Sequence, residues 1–315
     1  PGAWTLLWHD VGMTEHAVGP RPDRDGAHGV PERGVGAWRR PAPARGPSAR
    51  AYLLIAFGEY LLDCPENRVW TQTLIDALAL LGFGERAARQ AVTRTAAAGW
   101  LASGRSGRRV RWQLTASGRN YLTAARRRLF APGPDRDWDG DWLVLLVTVP
   151  EKQRKLRHRL RTSLEWVGFG SPGPDVWLSP HPSHAAEARQ VLDSLGADVR
   201  ATLLHARLDD PGERHRLVAQ AWDVGKLDAS YRTFISRWAE ADPASPDEAF
   251  VQRMHLVYQW RLLMLADPGL PSALLPAAWS GERGRKLMLE RHAIWQPLAG
   301  AWWDARESVT NTARR

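Results

Sequence analysis

The stretch from Glu85 to Trp112, ERAARQAVTRTAAAGWLASGRSGRRVRW, constrains this chain more than any other. On a helical wheel at about 100° per residue, Ala88, Ala91, Val92, Thr95 and Ala98 share one side. Arg86, Arg89, Gln90, Thr93 and Ala97 share the other, with Arg94 at its edge. The first side is small enough to pack closely. The second offers guanidinium and amide groups for guanine and adenine edges, Arg and Thr for phosphates, and methyls for thymine. Its modest bulk lets the backbone enter a major groove. Gly99 ends this helix, and WLASG and RRVRWQLT then read as two short strands joined by a basic loop, Arg105-Ser106-Gly107-Arg108-Arg109. The tip of such a hairpin suits a phosphate track or a minor groove. From Gly84 to Arg128 there are eleven arginines and one acid, Glu85.

Two helices are expected before this reader. SARAYLLIAFGEYLL places Leu53, Leu54, Phe57, Tyr60 and Leu61 on one face, with Ser48 as its cap, and WTQTLIDALALLG repeats the spacing through Leu74, Ile75, Leu78 and Leu81 before stopping at Gly82. Helix, helix, recognition helix, wing is the order of a winged helix-turn-helix. The residues expected to touch double-stranded DNA are Arg86, Arg89, Gln90, Thr93 and Arg94 on the helix, and Arg105, Arg108, Arg109 and Arg111 in the hairpin. A following helix, TASGRNYLTAARRRLF, reads as a linker whose Arg126, Arg127 and Arg128 form a charged exposed face.

The rest of the chain divides by composition. Residues 1–47 hold seven prolines and eight glycines without apolar periodicity and read as a flexible arm, with Met13 available as an internal start. Residues 48–130 are the expected DNA-binding domain. After APGPDRDWDGD the pattern resets: WLVLLVTVP is a buried strand, EKQRKLRHRLRTSLEWVGFG a helix with Leu156, Leu160, Leu164 and Val167 inside, then DVWLSP a strand, a helix near Ala185 to Leu195, and VRATLLHARL a strand. This is a compact α+β module of ferredoxin-like type over 138–210. Residues 211–315 read as helical, ending in a helix near Arg285 to Trp303. The formal charge of +9 and its concentration in one region point to an anionic partner, nucleic acid first. One cysteine, Cys64, excludes an internal disulfide framework and a thiolate metal cluster, and the longest apolar run is too short to cross a bilayer. A cytoplasmic setting is expected, with no cofactor, no metal and no membrane contact.

Three phrases in order, VWTQTLIDALALLGFGERAARQAVTRTAAAGWL, LEWVGFGSPGPDVWLSPHP and WRLLMLADPGLPSALLPAAWSGERGRKL, resemble the PaaX-type repressors of phenylacetate catabolism, from about Arg50 to Trp303. The resemblance implies a winged helix, a ferredoxin-like middle domain related to a CRISPR-associated nuclease fold, and a helical C-terminal domain. It also implies homodimerisation and release from an operator by an aryl-acetyl coenzyme A thioester. A site for such an acyl-CoA effector needs arginine near an apolar interior, and Met254 to Trp279 offers Arg261 among Trp260, Leu262, Leu263 and Trp279. Asp267 is an alternative, structural partner for Arg261. The long arm departs from the family pattern.

Two other chemistries are suggested by strings alone. Gly168-Phe169-Gly170-Ser171-Pro172-Gly173 spells GxGxxG, but it follows a helix and leads into an extended segment, so a helix stop and turn is the expected role. A metal-dependent nuclease needs carboxylates at a strand end, whereas Asp137, Asp139 and Asp141 precede the strand. His181, His205 and His255 stand alone in sequence, with no HExxH pair. A non-catalytic regulator is expected.

Overall fold

The structure is a computed structural model that describes residues 46–64, 67–131, 133, 137–150, 152–196 and 199–312. The arm expected over 1–47 lies, up to residue 45, outside them, as does Met13. The described residues form a mixed α+β fold with two antiparallel sheets. The chain divides into two units, one ending at Ala125 and including the chain from Ala305, the other Arg126–Asp304.

In the first unit, α1 (Ala49–Tyr60) starts where the Ser48 hydroxyl accepts from Ala51 N–H at 3.1 Å, satisfying one of the orphan donors of a helix start. Residues Ala51 to Phe57 are all buried, so α1 is enclosed on every side and the single stripe expected of it is too narrow. β1 (Arg68–Trp70) follows, then α2 (Thr71–Leu80) and α3 (Glu85–Ala97). β2 (Leu101–Ser106) and β3 (Arg109–Leu114) form the hairpin, in a sheet ordered β1-β3-β2. The core is built by Tyr52, Phe57, Leu74, Leu78, Ala88, Val92 and Trp100, with Tyr52 edge-on to Phe83 at 5.9 Å. α4 (Ala116–Leu129) is capped by Thr115, whose hydroxyl accepts from Gly118 N–H at 3.1 Å. Glu307, late in the last helix, accepts from Trp70 N–H at 3.2 Å.

The second unit is organised by β4 (Asp141–Thr148), α5 (Arg154–Val167), β5 (Gly170–Gly173), β6 (Val176–Ser179), α6 (His184–Leu195) and β7 (Arg200–Arg207). The sheet order is β5-β6-β4-β7, antiparallel throughout. Alternation along β4 sends Leu143, Leu145 and Val147 to one face, where Leu160, Leu164, Val167, Phe169, Trp177 and Leu195 close the core, and Trp142 to the other, against Trp222, Val218, Leu270 and Leu274. Both faces are covered along Trp142–Leu145, which is why the strand reads as an apolar run. β5 adds a strand to the three expected here, and Leu146 and Leu204 are exposed rather than buried.

The rest is helical: α7 (Pro211–Ala221), α8 (Val224–Trp238), α9 (Pro246–Ala266), a 3-10 turn Ser272–Leu274, and α10 (Gly281–Thr312), longer at both ends than expected. Between α7 and α8 the helical run is broken at Trp222, which turns extended, buries its ring over Gly170, and leaves Asp223 to cap α8 by accepting from Lys226 N–H at 2.9 Å. No helix among the described residues is long and apolar enough to cross a membrane.

Candidate nucleic-acid interface

α3 has two distinct sides. Ala88, Ala91, Val92 and Thr95 are buried, and Thr95 turns its hydroxyl back to Ala91 C=O at 2.7 Å, so no polar atom is stranded in the core. Ala98 departs from the inner side expected for it: it is the exposed C-cap, past the last turn that packs. Arg86, Arg89, Gln90, Thr93 and Arg94 are exposed and, with Glu85, line one shallow open groove along the helix. The Thr93 hydroxyl donates to Arg89 C=O at 2.9 Å. Arg89 donates through Nε to Glu85 Oε1 at 2.8 Å, with Nη2 at 2.7 Å from the same oxygen. Glu four residues before Arg is the helical spacing that signals such a pair in the sequence.

In the hairpin, Ser106 pairs with Arg109 and only Gly107-Arg108 turn. The five-residue loop expected over 105–109 is therefore a correction: Arg105 belongs to β2 and Arg109 to β3. Gly107 has φ +63°, a left-handed backbone that a tight two-residue turn requires and a side chain disfavours. Arg105, Arg108 and Arg109 are exposed around this tip. Arg111 is set apart from them. It lies opposite Trp70 in the β1–β3 register, half-buried, with its guanidinium 4.1 Å from the centre of the Trp70 ring.

Farther along, α4 does not expose all three of its terminal arginines. Arg126 and Arg127 are exposed, but Arg128 stacks over Trp166 at 5.1 Å, and burial lowers its pKa against the fields of Glu187 and Asp267. A polar cluster surrounds it. His184 Nδ1 is 2.9 Å from Ser179 Oγ, its ring centre is 5.0 Å from that of His181, and burial, then the neighbouring His181 and Arg128, push its pKa down to about 4. His181 bonds Gly269 C=O at 2.7 Å, so it and His184 are not isolated in space. Asp267 accepts from Tyr231 O–H at 2.5 Å and Gly269 N–H at 2.7 Å. Arg261 itself is half-buried on α9 one turn after Tyr258, whose pKa burial raises and Arg261 lowers. Trp260 and Trp279 pack about Tyr231 at 6.0 and 5.3 Å.

The strings that suggested other chemistry have structural roles. Gly168 is the left-handed C-cap of α5 at φ +105°, and Gly170–Gly173 is β5, followed by β6 and not by a helix N-terminus. Asp141 is held by Arg207, which keeps its carboxyl below the ordinary range, and Asp139 accepts from Asp141 N–H at 3.0 Å. Among the described residues no three His, Cys, Asp or Glu gather as metal ligands.

With these placements fixed, three family profiles match in order along the chain: PaaX-like protein over 48–118, PaaX protein central Cas2-like domain over 135–218, and PaaX-like protein C-terminal domain over 222–305. The transcriptional repressor PaaX of Escherichia coli strain K12 is 31% identical over 246 residues, which are 75% of this chain and 76% of that protein. The chain belongs to the PaaX family. A solved structure, the uncharacterized protein Rv0674 from Mycobacterium tuberculosis, matches 81% of this PaaX-family chain and 98% of its own, with a TM-score of 0.55 at 26% identity. The PaaX-like profile over 48–118 spans α1, α2, α3 and the β2–β3 hairpin, so the two-sided helix lies wholly inside it.

Proposed function

We propose that the protein is an operator-binding transcriptional repressor that reads double-stranded DNA through α3, released by an aryl-acetyl-CoA-type effector. One observation carries this: five base- and phosphate-bonding side chains, Arg86, Arg89, Gln90, Thr93 and Arg94, stand exposed on one side of a helix whose other side is buried. The order α1, α2, α3, β2, β3 around it supports a winged helix-turn-helix, with Arg105, Arg108 and Arg109 of the wing on the phosphates. The strand order β5-β6-β4-β7, with α5 and α6 on one face, supports a ferredoxin-like middle domain. The repressor named in the family supports the sign of regulation.

A single recognition helix covers too few base pairs to single out an operator, so the protein acts as a homodimer on paired half-sites. A footprint on upstream DNA tests the reading directly: two protected half-sites about one helical turn apart are expected. Uniform, sequence-indifferent protection would reject operator recognition. Adding Mg²⁺ leaves the strands intact in this reading, and cleavage would favour a nuclease instead. Sedimentation of the free protein gives a dimer, whereas a monomer with full operator affinity contradicts the half-site argument.

A further inference from the structure

The outer face of α5 carries a second concentration of positive charge that the reader does not explain. From Lys152 to Arg161 there are six cations, Lys152, Arg154, Lys155, Arg157, Arg159 and Arg161, with His158 among them and no acid. All seven side chains are exposed, while Leu156, Leu160 and Leu164 face the sheet. Two exposed helical arginines elsewhere in this unit do pair with an acid about one turn away: Arg216 with Glu213 on α7 and Arg232 with Asp228 on α8. Lys152, in the turn before α5, and Arg154, Lys155, Arg159 and Arg161 on it have no ion-pair partner among the described residues.

This arrangement opposes the helix that bears it. Arg154 and Lys155 occupy the first turn, where the positive end of the helix dipole repels cations and where α5 has no acid. Lys155 with Arg159, and Arg157 with Arg161, are like charges at i and i+4, which weakens a helix further. A local rule broken this consistently on an exposed face points to function. The charge balance of the chain agrees. The reader segment Gly84–Arg128 has a surplus of ten and the α5 segment a surplus of six, in a chain of net +9, so everything else together is −7. The net positive surplus of the chain is thus concentrated in these two segments.

We propose that the outer face of α5 is a second, sequence-independent binding surface for the phosphate backbone of double-stranded DNA. It rests on the DNA-binding reading above and adds a contact from the second unit. Guanidinium and ammonium groups along three turns of helix match a row of phosphates and offer no pattern of hydrogen bonds that would read bases. Its contribution is affinity and salt dependence, with operator choice left to α3.

The test uses the full-length protein with Arg154→Gln, Lys155→Gln, Arg159→Gln and Arg161→Gln combined. Binding is measured against salt on a duplex that extends well beyond the operator on both sides. Each lost phosphate contact removes about 0.9 from the logarithmic salt slope, so the slope falls by about two to four and affinity at low salt drops at least tenfold. The preference for operator over scrambled duplex stays unchanged, and the melting temperature stays level or rises because the repulsive charges are gone. A variant with wild-type slope and affinity overturns the proposal while leaving α3 as reader. A wild type that binds no duplex at low salt overturns both. Phosphatidylserine-containing vesicles that capture the wild type but not the variant, with DNA binding unaltered, would assign the face to a membrane surface and overturn the DNA assignment.

Discussion

Glu85 is the one acid among the eleven arginines of Gly84–Arg128, and its two contacts bias the guanidinium plane of Arg89. A plane so biased favours the bidentate geometry that guanine O6 and N7 require. Arg89→Ala is expected to cost about 1–3 kcal/mol on the operator and little on scrambled DNA, read by anisotropy titration of both duplexes. Equal losses would remove Arg89 from base reading. Glu85→Gln removes a repulsive charge, so scrambled DNA binds more tightly, but the operator preference falls a few-fold, within the roughly 0.2–1 kcal/mol of an exposed ion pair. An equal gain on both duplexes would leave Glu85 as bulk charge alone. His184 supports a stability prediction at the same scale. Burial, aided by His181 and Arg128, depresses its pKa from 6.5 to about 4, so between these values the unfolded chain binds a proton that the folded chain refuses. Stability is therefore full above pH 6.5 and declines as pH falls toward 4, by on the order of 3 kcal/mol from this group. Urea unfolding at the two ends of that window, with His184→Gln as comparison, measures it: the variant loses this part of the slope.

At the scale of elements, the hairpin makes the sharpest demand. Arg108→Ala and Arg109→Ala should weaken operator and scrambled DNA alike and lower the salt slope by about one unit each, because phosphate contacts carry no sequence information. Arg111→Ala is the control, since a guanidinium stacked on Trp70 contributes to the sheet and its loss should appear in thermal stability instead. An unchanged slope in the first two variants would detach the wing from DNA. These elements also mark what a sequence discloses. α3 was legible because burial follows periodicity: the positions of Ala88, Ala91, Val92 and Thr95 could be derived from spacing alone. β1 and β5 were not, for three- and four-residue strands owe their existence to partners that pairing supplies, Gln113 to Arg111 for β1 and Val176 to Leu178 for β5. Arg111 reads locally as part of the wing, since nothing nearby in sequence announces that Trp70 lies across the sheet. Arg128 reads as exposed for the same reason, its Trp166 being far along the chain.

At the scale of the whole molecule, regulation requires a ligand whose binding differs between the DNA-bound and free states, since equal affinity for both would shift nothing. A coenzyme A thioester combines several phosphate charges with an apolar tip and so needs cations beside an apolar interior. The second unit holds those ingredients near α9: Arg261 on the helix, Trp260 buried beside it and donating to Leu129 C=O at 2.8 Å, and Trp279 and Tyr231 packed together. Leu129 is the last residue of α4, one position after Arg128, so a ligand that disturbs Trp260 also acts on the end of that helix. With 17 tryptophans in the chain, intrinsic fluorescence reports such a change. Phenylacetyl-CoA is expected to alter the emission, raise thermal stability and release operator DNA, whereas free coenzyme A and free phenylacetate act weakly because each supplies part of the contact. Arg261→Ala should weaken the response to the thioester without changing operator affinity in its absence. A protein whose fluorescence, stability and operator binding ignore every acyl-CoA would be a constitutive DNA-binding protein, and the reader on α3 would stand without an inducer.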